Sequence, residues 1–185
     1  DLEFNGNTSS TAIKVESDPR LNISMKAINE SYTASKEIEA MTQTAADAVK
    51  QMVESKNIAK ELSKRLKDDD SKKYKEEIAM SKKITKKIDS VIAIYIGKED
   101  KRQGITRNPE TNVMQRLGSA GWYSGSRPNG ITNTETLLMK HAKDALNEAL
   151  RQTNSFFENE WKIYKTRLEQ AKVSPFKDLK KFSLD

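Results

Sequence analysis

The sequence contains no cysteine and a single histidine, His141. The first absence excludes disulfides, thiolate zinc sites and cysteine nucleophiles together. It does not fix the compartment, because secreted proteins can also lack cysteine. The second leaves any serine nucleophile one candidate base and removes the Glu-x-x-His pairs of di-iron bundles. His141 sits at helical spacing beside Leu138 and Ala145, which reads as a core or edge histidine. No run approaches the roughly 20 apolar residues of a membrane span, and no signal peptide opens the chain. The chain starts at Asp1 rather than Met, as expected of a processed protein or a fragment of a longer one. Walker, Rossmann and nucleophile-elbow patterns are missing too. Gly118-Ser-Ala-Gly121 lacks the repeat and the lysine that a phosphate cradle needs.

Glycine and proline are scarce, and their placement organises the chain. Six of the seven glycines and two of the four prolines fall in Gly97–Glu135. The flanking segments carry almost none and show helical periodicity, so the chain reads as long helices joined by one structured crossover. Apolar content is 35% and charged content 32%. That balance suits elongated helices, which need one apolar stripe and leave the remaining surface to Lys and Glu.

The net charge is +6, much of it in Glu54–Lys87, where twelve Lys or Arg face seven Asp or Glu. Acids are interspersed and Tyr74 is the run's only aromatic, so it reads as a solvated helix face rather than a phosphate-binding patch. No specific nucleic-acid partner is expected.

Residues 1–10 are polar and turn-like. Thr11–Glu16 alternates Ile13 and Val15 with Lys14 and Glu16, a short strand signal ended by Asp18-Pro19. A lone strand needs a partner, so it is expected either to lie against the helices or, as the favoured reading, to be the last strand of a neighbouring domain, with residues 1–20 as the arm and 21–185 as the helical domain. Ile38, Met41, Ala45, Met52, Ala59, Leu62 and Leu66 predict a helix over Asn22–Lys67, with a break conceivable at Ser31–Ser35. Asp68–Asp70 is expected as a polar corner with Ser71 as the next N-cap. It lacks the ligand spacing and glycine of a calcium loop. Tyr74 to Tyr95 predicts a second helix, antiparallel to the first and ended by Gly97.

Within the crossover, Asn108-Pro109 predicts the start of a short helix in which Gly118 and Gly121 permit close approach to a neighbour. Ser124–Gly130 reads as a loop, and Thr132 with Glu135 as a capping box. One last helix is expected from Asn133 to Lys172, with Phe176, Leu179, Phe182 and Leu184 docking a tail.

Carboxylate pairs such as Glu76/Glu77 and Glu158/Glu160 are expected from chance on an acidic helical surface, and catalysis by this chain alone is not expected. No catalytic residue, cofactor or metal ligand is assigned. One cluster stands out as a binding surface: Arg107, Arg116, Trp122, Tyr123, Arg127 and Asn129. Aromatic and guanidinium groups on a loop can stack on sugar rings or anchor a partner. The competing reading is that Trp122 and Tyr123 plug the end of a bundle.

Three stretches carry a family resemblance: Ile96–Pro109 (IGKEDKRQGITRNP), Tyr123–Pro128 (YSGSRP) and Thr153–Trp161 (TNSFFENEW). Together they resemble the C-terminal helical region of large secreted bacterial proteins with sortilin-like, BNR-repeat propellers. These are common in Bacteroidetes and often labelled glycosyl hydrolases. In that family a β-sandwich ends in a strand and a "DPR" turn before the helices, and Val15–Arg20 is similar. The resemblance spans about Thr11 to Leu184 and implies a secreted, periplasmic or cell-surface location. It carries over no catalytic residue.

The expectation is thus an all-α, elongated up-and-down bundle of three long helices plus a short crossover helix, with a strand-like N-terminal arm. The implied function is a non-catalytic accessory module that acts as spacer, docking surface or glycan contact. Its expected partners are the preceding domains, a polysaccharide or envelope component, and in some settings a second copy as a homo-dimer. The alternatives are a free-standing helical interaction protein that self-associates through exposed apolar stripes and, third, a weak nucleic-acid or anionic-polymer binder using the Lys-rich Glu54–Lys87 hairpin.

Overall fold

Steps of four and three residues define the longest element. In a computed structural model, which describes residues 1–16, 18–98, 111–127 and 129–171, helix α1 runs unbroken from Met25 to Asp70. Its buried side chains are Ala34, Ile38, Met41, Ala45, Ala48, Met52, Ser55, Ala59, Ser63 and Leu66. The alternation keeps one stripe facing its neighbours. At ~1.5 Å per residue the helix is about 70 Å long. It starts at Ser24, whose Oγ accepts the Ala27 N–H at 3.1 Å, and no break occurs at Ser31–Ser35.

The corner after α1 differs from expectation. Asp68, Asp69 and Asp70 belong to the helix. The Asp70 carboxylate then accepts the N–H groups of Lys72 and Lys73 at 2.9 and 3.0 Å, which holds it below the usual carboxylate range. Ser71 closes α1 instead of opening α2. Helix α2 (Lys75–Ile96) starts after Tyr74 with no side-chain cap, while Glu76 and Glu77 complement its N-terminal dipole. Gly97 ends it at φ +83°, donating to the Ala93 carbonyl at 2.8 Å.

Helix α3 (Val113–Gly125) is capped by Asn112, which exchanges hydrogen bonds with Gln115 at 2.9 and 3.2 Å. The expected Asn108-Pro109 start lies outside the described residues. Ser124 and Gly125 belong to the helix rather than to the following loop. Helix α4 (Asn133–Phe156) opens on the expected capping box of Thr132 and Glu135. It does not continue as one regular helix: a π-helical turn, Phe157–Trp161, joins it to α5 (Lys162–Gln170). The expected tail, Phe176 to Leu184, is outside the described residues.

The described chain is mostly helical, and a single core joins the helices. Glu37 of α1 meets Lys143 of α4 at 3.1 Å, while Ile58 and Leu62 share a groove with Tyr164 and Leu168, so α1 and α4–α5 run the same way. Lys56 pairs with Asp89, and Lys64 and Lys67 share a groove with Lys82 and Thr85, so α2 runs against α1. Two buried hydroxyl pairs tie α2 across: Ser81 to Tyr164 at 2.9 Å and Tyr95 to Thr153 at 2.8 Å.

The π turn has a matching irregularity. Ser55, Ala59 and Ser63 are separated by two successive steps of four, and Phe156 and Tyr164 by eight. Both phase slips meet where Ile58 and Leu62 face Trp161 and Tyr164. The widened turn lets the adjacent bulky residues Phe156 and Phe157 both turn inward, their rings 5.2 Å apart. Asn159 Nδ2 donates to the Ser155 carbonyl at 2.9 Å.

The arm is built differently from expectation. Residues 11–16 form no strand. Instead β1 (Leu2–Phe4) and β2 (Asn7–Ser9) pair antiparallel, Phe4 opposite Asn7. Asn5 and Gly6 have φ +48° and +78°. Positive φ at both central residues is the two-residue turn whose twist matches paired strands. A second turn follows at Asp18-Pro19-Arg20, where Leu21 N–H reaches the Asp18 carbonyl at 3.0 Å and Arg20 forks onto the Asp18 carboxylate.

Candidate functional site

The buried face of α3 is Val113, Leu117, Ala120 and Ser124. With Ala120 and Ser124 inward, Trp122 is turned to the opposite side of the helix. It is 67% exposed and Tyr123 39% exposed. Their rings meet edge to face, centroids 4.9 Å apart and planes at 84°. The plug reading therefore fails for Trp122, because most of its ring lies outside the core. The two rings form an exposed aromatic pair on a helix.

The rest of the expected cluster is only partly assembled. Arg107 lies outside the described residues. Arg116 is half-buried on α3, and Asn129 is exposed in the loop before α4. Arg127 approaches Glu135, Nε to Oε1 3.8 Å, instead of stacking on an aromatic ring. Among the described residues no cation lies over Trp122 or Tyr123. The structure thus brings Trp122 to Tyr123 and Arg127 to Glu135, as two separate pairs.

Glu135 has a structural task. It is fully buried, and its Oε2 accepts the Thr132 hydroxyl and the Thr132 N–H, the latter at 2.9 Å. Those bonds hold its carboxyl below the ordinary carboxylate range, with Arg127 adding a smaller pull in the same direction. Its Oε1 has no hydrogen-bond partner, so Arg127 is the nearest compensation for that buried oxygen.

The glycines also differ from expectation. A Cβ on Gly118 would meet nothing within 4 Å, and one on Gly121 would make ordinary contact with Ile38 at 3.7 Å. Neither is needed for close helix approach. Gly130 is the constrained one: at φ +89°, a Cβ would stand 3.2 Å from the Ala27 backbone and 3.1 Å from Glu30. The Asn129-Gly130 dipeptide signals a turn in the sequence; the positive φ already strains any side chain at Gly130, and the tight approach to α1 adds to that strain.

His141 is exposed and Ala142 takes the buried position beside it. Three of the four paired carboxylates form ion pairs: Arg167 reaches Glu76 at 2.9 Å and Glu77 at 3.1 Å, and Lys87 reaches Glu160 at 3.6 Å. Burial pushes the phenols of Tyr95 and Tyr164 up, their partners Thr153 and Ser81 partly offsetting it. Among the described residues no group of three or more His, Asp or Glu side chains could hold a metal ion, and no helix is long and apolar enough to cross a membrane. Comparison with protein-family models, curated proteins and solved structures finds no match.

Proposed function

We propose that this chain is a non-catalytic accessory module of a secreted, propeller-type protein, a helical spacer that presents a recognition surface on α3. The observation that carries the reading is the exposed Trp122–Tyr123 pair. A solvent-facing indole held on a helix loses little freedom on binding and offers a flat apolar face to a sugar ring or a partner side chain. In this reading the helices form an up-and-down bundle in which α3 continues the column of α2. The exposed arm supports attachment to a β-structured neighbour: Leu2, Phe4, Ile13 and Val15 all lie outside the core and need a covering surface.

The test is co-sedimentation of the full chain with insoluble polysaccharides and bacterial envelopes at low and high salt. Saturable binding that survives salt and disappears in Trp122→Ala and Tyr123→Ala is the expected result. Binding that ignores both substitutions, or no binding at all, removes the recognition role and leaves a spacer.

A second reading, self-association, rests on the open edges of the β1–β2 hairpin, which offer unpaired backbone groups to another chain. Sedimentation equilibrium decides it: a mass that rises with concentration and drops after Phe4→Lys supports a dimer through the arm.

A further inference from the structure

Two lysine runs that are separate in sequence face one another across the α1–α2 groove. Lys60, Lys64 and Lys67 lie along one wall and Lys82 and Lys86 along the other, around a cleft of about 430 Å3. No carboxylate lines it. Of the nearby acids, Glu61 pairs with Arg65, Asp89 with Lys56, and Glu76 and Glu77 with Arg167, while Asp68 and Asp69 lie outside the lining. Among the described residues none of the five lysines has an ion-pair partner. Lys60 and Lys64, and likewise Lys82 and Lys86, are like charges one helical turn apart, a spacing that destabilises a helix. A solvated face does not require such segregation, and an anion in the groove would relieve it.

We propose that this groove binds an acidic polysaccharide, a chain of sugar rings carrying carboxylates. Five ammonium groups on two rails, without an arginine fork, suit charges that recur along a flexible chain and need no fixed bidentate geometry. Between the rails lie hydroxyls, Ser63 and Thr85, which can exchange hydrogen bonds with sugar hydroxyls. From Lys60 to Lys67 the wall runs about 10 Å, a length that a short run of sugar rings bridges. No aromatic side chain lines the groove, so a single-stranded nucleic acid would find charge and no stacking platform. The inference does not rest on the α3 surface, because it uses other residues on other helices.

The experiment is calorimetric titration of the full chain with polygalacturonate, with dextran as the neutral glycan and a single-stranded oligonucleotide as the nucleic-acid probe. Polygalacturonate binds and dextran does not. Replacing Lys60, Lys64, Lys82 and Lys86 by Gln weakens polygalacturonate about tenfold or more and lowers the salt dependence. The matched set Lys26, Lys50, Lys140 and Lys162 to Gln changes it less than about twofold, a generic charge effect that salt screens. Arg at the four groove positions retains binding, which guards against a folding defect, and Trp122→Ala leaves it unchanged. The proposal is overturned by no binding, by equal loss in the two Gln sets, or by an oligonucleotide that binds as tightly through the same lysines.

Discussion

The N-terminal arm and the helical body both carry apolar residues at regular spacing, and only one of them has a core. In the body, steps of three and four place Ile38, Met52, Ile88, Leu117 and Phe156 on faces that meet. In the arm, Ile13 and Val15 alternate with Lys14 and Glu16 as a strand would, yet they are 83% and 75% exposed and form no strand. Periodicity makes a face. It becomes structure when a second face lies within reach, and a helix brings its own backbone hydrogen bonds to that meeting whereas a strand must find them in a neighbour. The hairpin that does form in the arm rests on local turn geometry at Asn5-Gly6, which needs no core at all.

Substitutions sharpen this contrast, beginning with the largest effect. Ile88→Ala empties a fully buried site between the helices and is expected to cost about 2–5 kcal/mol, read as a lowered urea midpoint. A cost comparable to that of an arm substitution would break the contrast. Gly130→Ala forces a side chain into positive φ against the Ala27 backbone, for roughly 1–3 kcal/mol. Gly6→Ala imposes the same φ penalty on the hairpin, where nothing lies within 4 Å, so hydrogen exchange of residues 2–9 changes while the global midpoint holds. Tyr164→Phe removes a buried hydroxyl pair but leaves Ser81 its bond to the Glu77 carbonyl at 2.8 Å, and is expected to cost about 1 kcal/mol.

Acid separates the regions in another way. The Glu135 carboxyl has a folded-state pKa below its ordinary 4.5, so its contribution is fully present above that value and is lost as pH falls through the folded pKa. Glu135→Gln should therefore be less stable than the parent at neutral pH, with the gap closing in thermal melts taken progressively below pH 4.5. A gap that widened in acid would contradict the capping role. The smallest effect is expected from Phe4→Ala, within about 0.5 kcal/mol, because the ring is 74% exposed. A larger loss would mean that the arm contributes to the stability of the body.

Much of the fold was legible because its signals are local. The Thr132–Glu135 capping box, the Gly97 stop and the apolar stripe of α1 depend on residues within a turn or two of one another. The Asn5-Gly6 hairpin is equally local, but its strands are three residues each and read in the sequence only as a polar, turn-like stretch. Other features were not readable in one segment. The π turn at Phe157–Trp161 packs against the irregular spacing of Ser55, Ala59 and Ser63, more than ninety residues earlier, and neither segment shows it alone. The expected binding cluster joined residues by closeness in sequence, whereas helix phase sends Trp122 outward and Glu135 draws Arg127 away.

The sequence by itself determined that this is a chain of long helices broken by one crossover, that α2 stops at Gly97 and α4 opens on the Thr132–Glu135 capping box, and which cysteine- and histidine-dependent chemistries it lacks. Those properties follow from propensity, spacing and composition, which act over a few residues. Tertiary structure alone decided that Gly130 packs tightly against α1, that Trp122 faces solvent, and that two lysine runs form opposite walls of one groove. Each depends on the distance between helices remote in sequence, and no local pattern encodes that distance.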